Sequence, residues 1–252
     1  MQVVAITQAR IGSSRLPGKI LREVNGQSLL EIHLQRISAA ATIQKLIVAT
    51  TLEPGIEPVL GIMKKLGVQY FQGSTDDVLD RFYQAVKDIR PDYVIRLTAD
   101  CPLIDPRLID KVVQYTLGHQ LDYCSNTLEE NYPDGQDIEV FRFAALEKAW
   151  QEATLPSDRE HVTPFIRRHS DFIGGTTFKA ANFNEGVQLG GLRMTVDEQR
   201  DLDVITQLIT QLGTGATMGA YAEFLRTNPA IQSINSEIKR NEGYQKSLNN
   251  DQ

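Results

Sequence analysis

The stretch VVAITQARIGSSRLPGKIL, from Val3 to Leu21, sets the fold because it joins an apolar strand to a loop rich in glycine, serine and cations. Residues 3–9 form a short apolar run, which is typical of a strand buried on both faces of a parallel sheet. Behind it, Arg10, Arg15 and Lys19 gather with no acidic residue between them. Neighbouring cations repel one another unless an anion lies among them. The stretch therefore predicts a strand followed by an anion site.

From this strand onward, apolar runs alternate with amphipathic stretches of helical length. Strands are predicted over 3–9, 45–51, 68–71 and 92–100, and helices over 29–40, 56–67, 75–89 and from Pro106 onward. This alternation predicts βαβ units, an α/β class and a parallel sheet covered on both faces. Farther along, polar and apolar residues alternate over 135–143, which predicts a half-exposed or edge strand. Helices are predicted near 144–154 and 158–169. A late strand is predicted over 190–197 and a helix over 198–213.

Length and composition limit the domain organisation. A chain of 252 residues with no repeat, no low-complexity linker and no break in composition fits one α/β domain. We expect that domain to cover residues 1–234. Residues 235–252 are polar and almost free of aliphatic side chains, so they are predicted to form a frayed tail.

Charge and residue usage exclude several classes of protein. A formal net charge of −6 argues against nucleic acid or an anionic membrane surface as the main partner. Two cysteines and four histidines show no disulfide framework and no zinc-ligand spacing. No apolar run approaches the roughly 18 residues of a membrane span, and no secretory signal follows Met1. The expected location is the cytoplasm.

The opening loop does not match two common phosphate-binding patterns. A Walker A loop requires G-x4-G-K-[ST], whereas five residues separate Gly12 from Gly18 and Ile20 follows Lys19. The dinucleotide pattern G-x-G-x-x-G is missing as well.

The chemical groups of a phosphate site are nevertheless present in this loop. Gly12, Ser13 and Ser14 offer unhindered backbone N–H groups, Arg10 offers a planar fork for phosphate oxygens, and Lys19 offers a mobile charge. Ligands of parallel sheets bind at the carboxyl ends of strands, where this loop begins. A solvated basic loop is the alternative.

Two aspartates also follow predicted strands. Asp100 ends VIRLTAD, where Pro102 stops the strand, and Asp197 ends LRMTVD. Both carboxylates are therefore predicted to reach the crevice at the carboxyl edge of the sheet. Asp197 could instead cap the helix that follows it, a position that aspartate favours.

A set of motifs in a fixed order resembles one family. QARIGSSRLPGK resembles the signature of the sugar nucleotidyltransferases that activate acidic sugars with CTP, especially the cytidylyltransferases of spore-coat polysaccharide biosynthesis and the enzymes that activate sialic acid (acylneuraminate) and Kdo. The order continues through VATT, FQGSTDDVLDRFYQA, IRLTADCPLIDP, YPDGQDIEVF, DREHVTPFI and MTVDEQRDL. The resemblance implies a Rossmann-like three-layer nucleotide-diphospho-sugar transferase fold, with a mostly parallel sheet, a late antiparallel strand and a homodimer.

The resemblance also implies roles for individual residues on the nucleotide side. Asp100 and Asp197 would hold Mg²⁺, and Arg10 with Lys19 would stabilise the departing pyrophosphate, which makes Arg10, Lys19 and Asp100 the catalytic set. The other predicted nucleotide contacts are Gln8, Ala9, Gly12, Ser13, Arg15, Ser74, Asp77 and Arg81. Arg15 could instead pair with an acid at the base of the loop. Asp77 and Arg81, four apart, could form an ion pair on a helix surface.

The acceptor side is predicted from two segments. Asp137 and Glu139 share one face of a predicted strand and could bind sugar hydroxyls, although a solvated strand face is the alternative. The segment 157–169 places Arg159 and His161 beside further arginines, one of which could pair with the carboxylate of a sugar acid. For His161, a hydrogen-bonded structural role is the alternative.

Together with these residues, the resemblance implies a Mg²⁺-dependent cytidylyltransferase that joins CMP from CTP to a sugar acid of the 2-keto-3-deoxy type and releases pyrophosphate. A glycosyltransferase that uses a nucleotide sugar is the nearest rival, but such enzymes commonly hold their metal with D-x-D, and here the strand end reads TAD. A non-catalytic nucleotide-binding protein is the rival from another class.

Overall fold

The structure is a computed structural model that describes residues 1–251. The strands are β1 (Val3–Gln8), β2 (Glu23–Val24), β3 (Gln27–Ser28), β4 (Lys45–Thr51), β5 (Gln69–Gly73), β6 (Tyr93–Thr98), β7 (Tyr123–Ser125), β8 (Glu139–Arg142) and β9 (Ala180–Asn182). The helices are α1 (Leu29–Ser38), α2 (Glu57–Leu66), α3 (Val78–Val86), α4 (Pro106–Gly118), α5 (Phe143–Glu152), α6 (Pro156–His161), α7 (Pro164–Arg168), α8 (Gln199–Leu212), α9 (Met218–Thr227), α10 (Pro229–Gln232) and α11 (Glu242–Leu248).

Within residues 1–251, seven strands form the main sheet in the order β5-β4-β1-β6-β8-β7-β9, while β2 and β3 form a separate hairpin. Every neighbouring pair in the main sheet is parallel except the two pairs that involve β8. The predicted α/β class, the mostly parallel sheet and the late antiparallel strand are therefore confirmed. Because β8 runs against its neighbours, it begins at the edge where the other strands end.

The core lies on both faces of the sheet, as the apolar run of β1 predicts. Val4 and Ile6 pack against α3 and α5, whereas Val3 and Ala5 face α4. A further cluster packs α1 and α2 over β4. The sheet is thus the middle of three layers.

The prediction that β8 is a half-exposed or edge strand is wrong. β8 lies between β6 and β7, and Glu139, Val140 and Phe141 are all buried. The alternating pattern arises because Glu139 is a buried polar residue with three partners, described below, and not a solvated one.

The late strand predicted over 190–197 is not a strand of the structure. This segment crosses the carboxyl edge of the sheet and forms one isolated bridge, in which Met194 N–H donates to the Asp134 carbonyl over 2.6 Å. Gly135, at φ 99, permits this approach, because a Cβ there would lie 2.5 Å from the Met194 carbonyl carbon. The apolar side chains that suggested a strand, Met194 and Val196, pack against α8 and α9 instead.

The predicted helix over 158–169 is two short helices, α6 and α7, separated by a γ-turn. Val162 has φ 71 and ψ −52, and Thr163 N–H donates to the His161 carbonyl over 2.8 Å. Positive φ is rare for a β-branched residue. Pro164 then begins α7, in the first turn of a helix, where its missing N–H costs no helical hydrogen bond.

The segment predicted as a frayed tail from residue 235 is attached to the domain over residues 235–251, and Gln252 lies outside the described residues. Asn235 is buried and donates to the Asp201 carboxylate over 2.9 Å, and residues 242–248 form α11 against α6. Polar side chains make these attachments, which is why a lack of aliphatic residues misled the prediction. No helix within residues 1–251 is long and apolar enough to cross a membrane.

Candidate active site

A cavity of about 700 Å³ opens at the carboxyl edge of the sheet. The loops that follow the neighbouring strands β1 and β6 both line it, and the carboxyl ends of strands are where open α/β sheets bind ligands. Predicted site residues that line it are Gln8, Ala9, Arg10, Gly12, Ser13, Arg15, Lys19, Arg81, Asp100, Asp137, Glu139, His161 and Asp197. The structure therefore gathers residues from nearly 190 positions of sequence around one space.

Backbone hydrogen bonds hold the loop after β1 in shape. Gly18, at φ 66, donates its N–H to the Ile11 carbonyl over 3.2 Å, which closes the loop. The Glu53 carboxylate, at the end of β4, accepts the N–H of Ile11 at 2.6 Å and that of Gly12 at 3.4 Å. The Gly12 N–H predicted to meet a phosphate is thus already bonded to Glu53.

Lys19 lies between the two aspartates predicted to bind metal. Its Nζ is 3.1 Å from Asp100 Oδ2 and 2.8 Å from Asp197 Oδ1. Backbone bonds hold the two acidic segments side by side, since Val196 N–H donates to the Asp100 carbonyl over 2.8 Å. Two carboxylate oxygens therefore converge on one positively charged point.

Electrostatics stabilises this cluster in its charged form. Burial opposes ionisation of Asp100, but the Lys19 ammonium and hydrogen bonds from Thr98 and Lys19 hold the pKa of that carboxyl well below its usual range. Burial alone would lower the pKa of Lys19, whereas Asp100 and Asp197 raise it above the ordinary value. Both groups are ionised throughout the neutral range.

Asp197 has two further cationic partners. Arg15 Nη2 lies 2.9 Å from Oδ1, and Arg193 Nη2 lies 2.9 Å from Oδ2. Arg15 thus pairs with an acid at the base of its loop, one of the alternatives for that residue. Asp197 does not cap α8, because Glu198 is the N-cap and forms a capping box with Asp201.

Arg193 ties the acidic side of the cavity together. Its guanidinium contacts Asp134 at 2.5 Å, Asp201 at 2.8 Å and Asp197 at 2.9 Å, and its side chain is 6% exposed. Burial opposes its charge, but Asp201 and Asp134 raise the pKa of Arg193 above the usual value.

Three guanidinium groups on the other side of the cavity make no ion pair or side-chain hydrogen bond within residues 1–251: Arg10, Arg81 and Arg167. Arg81 is 1% exposed, and its Nε and Nη1 have no partner among the described residues. Burial, with repulsion from Arg10, lowers the pKa of Arg81 to about 10. Unpaired buried cations are costly, and an anion bound among them would offset that cost.

Glu139 is held inside the protein by three side chains. Tyr123 and Thr163 hydroxyls donate to Oε1, each over 2.6 Å, and Arg96 donates to Oε2. Arg96 also donates to the side-chain oxygen of Gln8 over 3.3 Å. Glu139 therefore positions Arg96 and Gln8, although it lines the cavity. Asp137 also lines the cavity, and its carboxylate pairs with Arg240 at 2.7 Å.

Ser74, Asp77 and Arg159 are not brought into the cavity. Ser74 accepts the N–H of Asp77, and Asp77 caps α3 by accepting from Asp80 N–H over 2.9 Å. Asp77 pairs with Arg159 at 2.6 Å and not with Arg81. These contacts close a turn and fasten α6 to α3.

His161 is hydrogen-bonded and neutral. Its Nε2 lies 2.9 Å from Ser247 Oγ, and its ring meets Tyr244 edge to face. Burial, with Arg96 nearby, lowers the pKa of His161 to about 4. This agrees with the structural alternative stated for it.

Sequence reasoning missed several residues that line or support the cavity: Arg96, Asp134, Arg167, Arg193 and residues 240–247. Arg96 is a cation within an apolar strand, which is a detectable signal. Arg193 precedes Asp197 and Asp201 at intervals of four, a second signal. Arg167 lies in the 157–169 segment, but only the structure shows that it lines the cavity while Arg159 pairs with Asp77. Nothing in a polar C-terminal stretch indicates that it reaches the cavity.

A mostly parallel sheet with a cationic loop and converging carboxylates at its carboxyl edge defines the class of protein, a nucleotidyltransferase of Rossmann-like fold. The cytidylyltransferase family model matches residues 4–214. The chain belongs to the cytidylyltransferase family, as the ordered motifs predicted.

Individual relatives agree with this assignment. The chain is 37% identical to an uncharacterized protein of Methanocaldococcus jannaschii, over 95% of this chain and 97% of that one. It is 32% identical to the spore coat polysaccharide biosynthesis protein SpsF of Bacillus subtilis, over 84% and 88%.

Solved structures show the same architecture. A cytidylyltransferase from Leptospira borgpetersenii superposes with a TM-score of 0.86 at 31% identity, over 92% of this chain and 97% of that one. A CMP:2-keto-3-deoxy-manno-octonic acid synthetase complexed with CTP superposes with a TM-score of 0.61 at 20% identity, over 84% and 99%, which shows a shared fold.

Proposed function

We propose that this protein transfers CMP from CTP to a hydroxyl of a sugar acid of the 2-keto-3-deoxy type and releases pyrophosphate. The observation that carries the proposal is the convergence of Lys19, Asp100 and Asp197 at one point of the cavity, beside the loop that follows β1. The family supports the nucleotide, and the name of the Kdo-activating fold neighbour supports the acceptor class.

The site fits a divalent cation. Mg²⁺ is commonly bound by one or two carboxylates, with phosphate oxygens and water completing its octahedron. Within residues 1–251 no group of three or more His, Cys, Asp or Glu side chains could hold a metal. Two carboxylates, those of Asp100 and Asp197, do converge. The Lys19 ammonium lies between them, at the position proposed for the metal ion. Asp100 and Asp197 would therefore hold Mg²⁺, which when bound neutralises charge on the triphosphate.

The remaining cations serve the leaving group. In an in-line displacement the sugar oxygen bonds to the α-phosphorus while the bond from that phosphorus to the bridging oxygen of pyrophosphate breaks. Negative charge then grows on the pyrophosphate, and preorganised cations stabilise it. Arg10 and Lys19 are assigned this role, with Arg15 released from Asp197 to join them.

The nucleoside is assigned to the end of β1 and to Arg81. Arg96 orients the Gln8 side chain, and Ala9 donates its N–H to the Ala49 carbonyl over 3.1 Å, so this strand end is rigid. Gly12 and Ser13 line the same wall. A rigid wall favours binding because little side-chain freedom is lost.

The acceptor is assigned to Asp137 and Arg167. Arg167 lines the cavity without an ion-pair partner in the part of the chain that is described. Burial works against its charge, but Tyr123 and Glu139 raise the pKa of Arg167 above its usual value. A guanidinium forms paired hydrogen bonds with a carboxylate, which favours an acidic sugar, while Asp137 would orient the attacking hydroxyl.

The test is an assay of pyrophosphate release. The protein is incubated with Mg²⁺, each of CTP, UTP, ATP and GTP, and a panel of sugar acids that includes Kdo and N-acetylneuraminate. We expect release with CTP and an acidic sugar and none with the methyl ester of that sugar. Binding of an intact nucleotide sugar without pyrophosphate release from any triphosphate would favour a glycosyltransferase or a binding protein.

Two further expectations belong to this proposal. A homodimer predicts a molar mass of two chains by light scattering, and a mass of one chain would contradict it. A cytoplasmic enzyme is predicted to remain with the soluble fraction of gently lysed cells.

A further inference from the structure

The C-terminal segment, residues 240–251, forms one wall of the cavity. Seven consecutive residues of it, 241–247, line the space in which the substrates are proposed to bind. The family model ends at residue 214. This wall therefore lies beyond the residues that the family model matches.

The segment reaches the proposed phosphate side through Glu242. Its Oε2 lies 3.3 Å from Arg15 Nη1, while Arg15 also pairs with Asp197. The side chains of Arg15 and Glu242 are 29% and 35% exposed. A carboxylate of the chain thus lies where a phosphate oxygen would have to bind Arg15.

The same segment reaches the proposed acceptor side through Arg240. Its guanidinium donates to Asp137 over 2.7 Å and to the Tyr132 carbonyl over 3.2 Å, and it lies 3.8 Å from Asp134. Asp137 has no other ion-pair partner within residues 1–251. One short segment therefore holds one charged residue of each proposed subsite.

The attachments of the segment to the domain are polar. Ser247 Oγ donates to Glu160 over 2.6 Å and meets His161, and Asp251 accepts both the N–H and the hydroxyl of Ser157, at 2.9 and 2.6 Å. Ser247 is the buried residue of α11. Because no apolar side chain of α11 is fully buried, opening the segment is less costly than unpacking a helix with a buried apolar face.

We propose that the C-terminal segment is a self-blocking cover, in which Glu242 and Arg240 occupy the charged positions that the triphosphate and the acceptor take in turn. CTP binding then requires the Arg15–Glu242 pair to open. This inference rests on the proposed function, because it uses the same cavity.

The first test loosens the cover without altering charge in the cavity. Ser157→Ala removes the hydroxyl that anchors Asp251, so the cover opens more often. We expect hydrogen exchange of amides 242–248 to become faster and the Kd of CTP to fall. Faster exchange with an unchanged or higher Kd would overturn the proposal.

The second test is a double-mutant cycle between Arg15 and Glu242. Glu242→Gln is expected to lower the Kd of CTP by up to about fivefold, the range of an exposed ion pair. In the Arg15→Gln background the same change should have no effect. Glu237→Gln, an exposed acid of the same region without an ion pair among the described residues, is the matched control. Equal effects in both backgrounds would contradict the cover.

The third test separates this inference from the proposed function. In the unaltered chain, saturating CTP with Mg²⁺ should speed hydrogen exchange of amides 242–248. Slower exchange would mean that the segment closes on the nucleotide, which overturns the competition. If CTP binds neither the unaltered chain nor Ser157→Ala, the proposed function fails and the inference fails with it.

Discussion

The two sides of the cavity handle charge in opposite ways. On one side, Lys19 and Arg193 are surrounded by carboxylates, and each contact is between 2.5 and 3.1 Å. On the other, Arg10, Arg81 and Arg167 line the wall without ion pairs in the described chain. The paired side resembles a structural network, and the unpaired side resembles a site whose partner arrives from solution.

This difference separates residues that stabilise the fold from residues that bind. Removing one member of a buried ion pair leaves the other charge uncompensated, whereas removing an unpaired buried charge relieves a desolvation cost. The comparison therefore predicts that loss of Arg193 lowers the free energy of unfolding, whereas loss of Arg81 leaves it unchanged or raises it. Lys19, Asp100 and Asp197 are exceptions, since they are paired and are also assigned to the reaction.

The largest effect is expected for Asp100→Asn. Loss of the carboxylate removes one of two oxygens that converge on Lys19, and we expect kcat to fall about 10²- to 10³-fold, the scale for loss of an electrostatic catalytic group. The melting temperature should change little, because Asp197 still pairs with Lys19. Asp88→Asn, on an exposed residue, is the control. Unfolding of Asp100→Asn at the assay temperature would make Asp100 structural instead.

Arg193→Met tests the paired side. It leaves Asp134, Asp197 and Asp201 without their shared cation, and we expect the free energy of unfolding to fall by about 3–5 kcal/mol. Urea titration measures this loss. Lys148→Met, which breaks an exposed pair with Glu152 on α5, should cost no more than about 0.5 kcal/mol. Similar losses for the two variants would erase the distinction between buried and exposed pairs.

The pH dependence of stability tests whether His33, which bonds the residue after Asp100, is neutral in the folded protein. His33 bonds Thr7 and the Cys101 carbonyl, each at 2.8 Å, and burial lowers its pKa from 6.5 to about 4. Between these values the unfolded chain binds more protons, so stability falls as the pH is lowered from 6.5 towards 4.

Unfolding of the unaltered chain and of His33→Gln is compared at pH 6.5 and 4.5. The drop in unfolding free energy should be about 2 kcal/mol larger with histidine, from the two pKa values. Equal drops would show that folding does not lower the pKa of His33.

Arg81→Met tests the unpaired side and has the smallest expected effect on stability. The Kd of CTP should rise about 10- to 100-fold, the range for loss of a charge-assisted contact. The free energy of unfolding should stay within about 0.5 kcal/mol or increase, because no partner in the described chain loses a bond. Strong destabilisation with unchanged affinity for CTP would reverse the assignment of the two sides.

The sequence predicted most of the regular elements because periodicity reports burial directly. The strands at 3–9 and 45–51 and the helix that Gly67 ends at φ 66 agree with the structure within a residue or two. Errors occurred where a polar residue is buried with partners, as in β8, or where backbone bonds join distant segments, as at 190–197. Both features depend on residues far away in the sequence.

The candidate site was predictable in part for the same reason. Asp100 follows the end of β6, and the loop after β1 carries Arg10 and Lys19. The topology of the sheet alone brings such positions together. The choice among Arg159, Arg167 and Arg168 was not predictable, because it depends on the γ-turn at Val162 and on whether each arginine meets an acid. Arg159 and Arg168 do, through Asp77 and Asp158.

Because β8 runs in the opposite direction to its neighbours, the proposed nucleotide groups and the proposed acceptor group come from separate segments of the chain. The chain leaves β1 and β6 at the edge where it enters β8, so the proposed nucleotide groups sit after strands while Asp137 sits before one. Changes of length or composition over residues 127–138 can then reshape the acceptor wall without moving the loop after β1. Exchanging that stretch between relatives, with Asp134 retained for its pair with Arg193, is a direct route to a new acceptor.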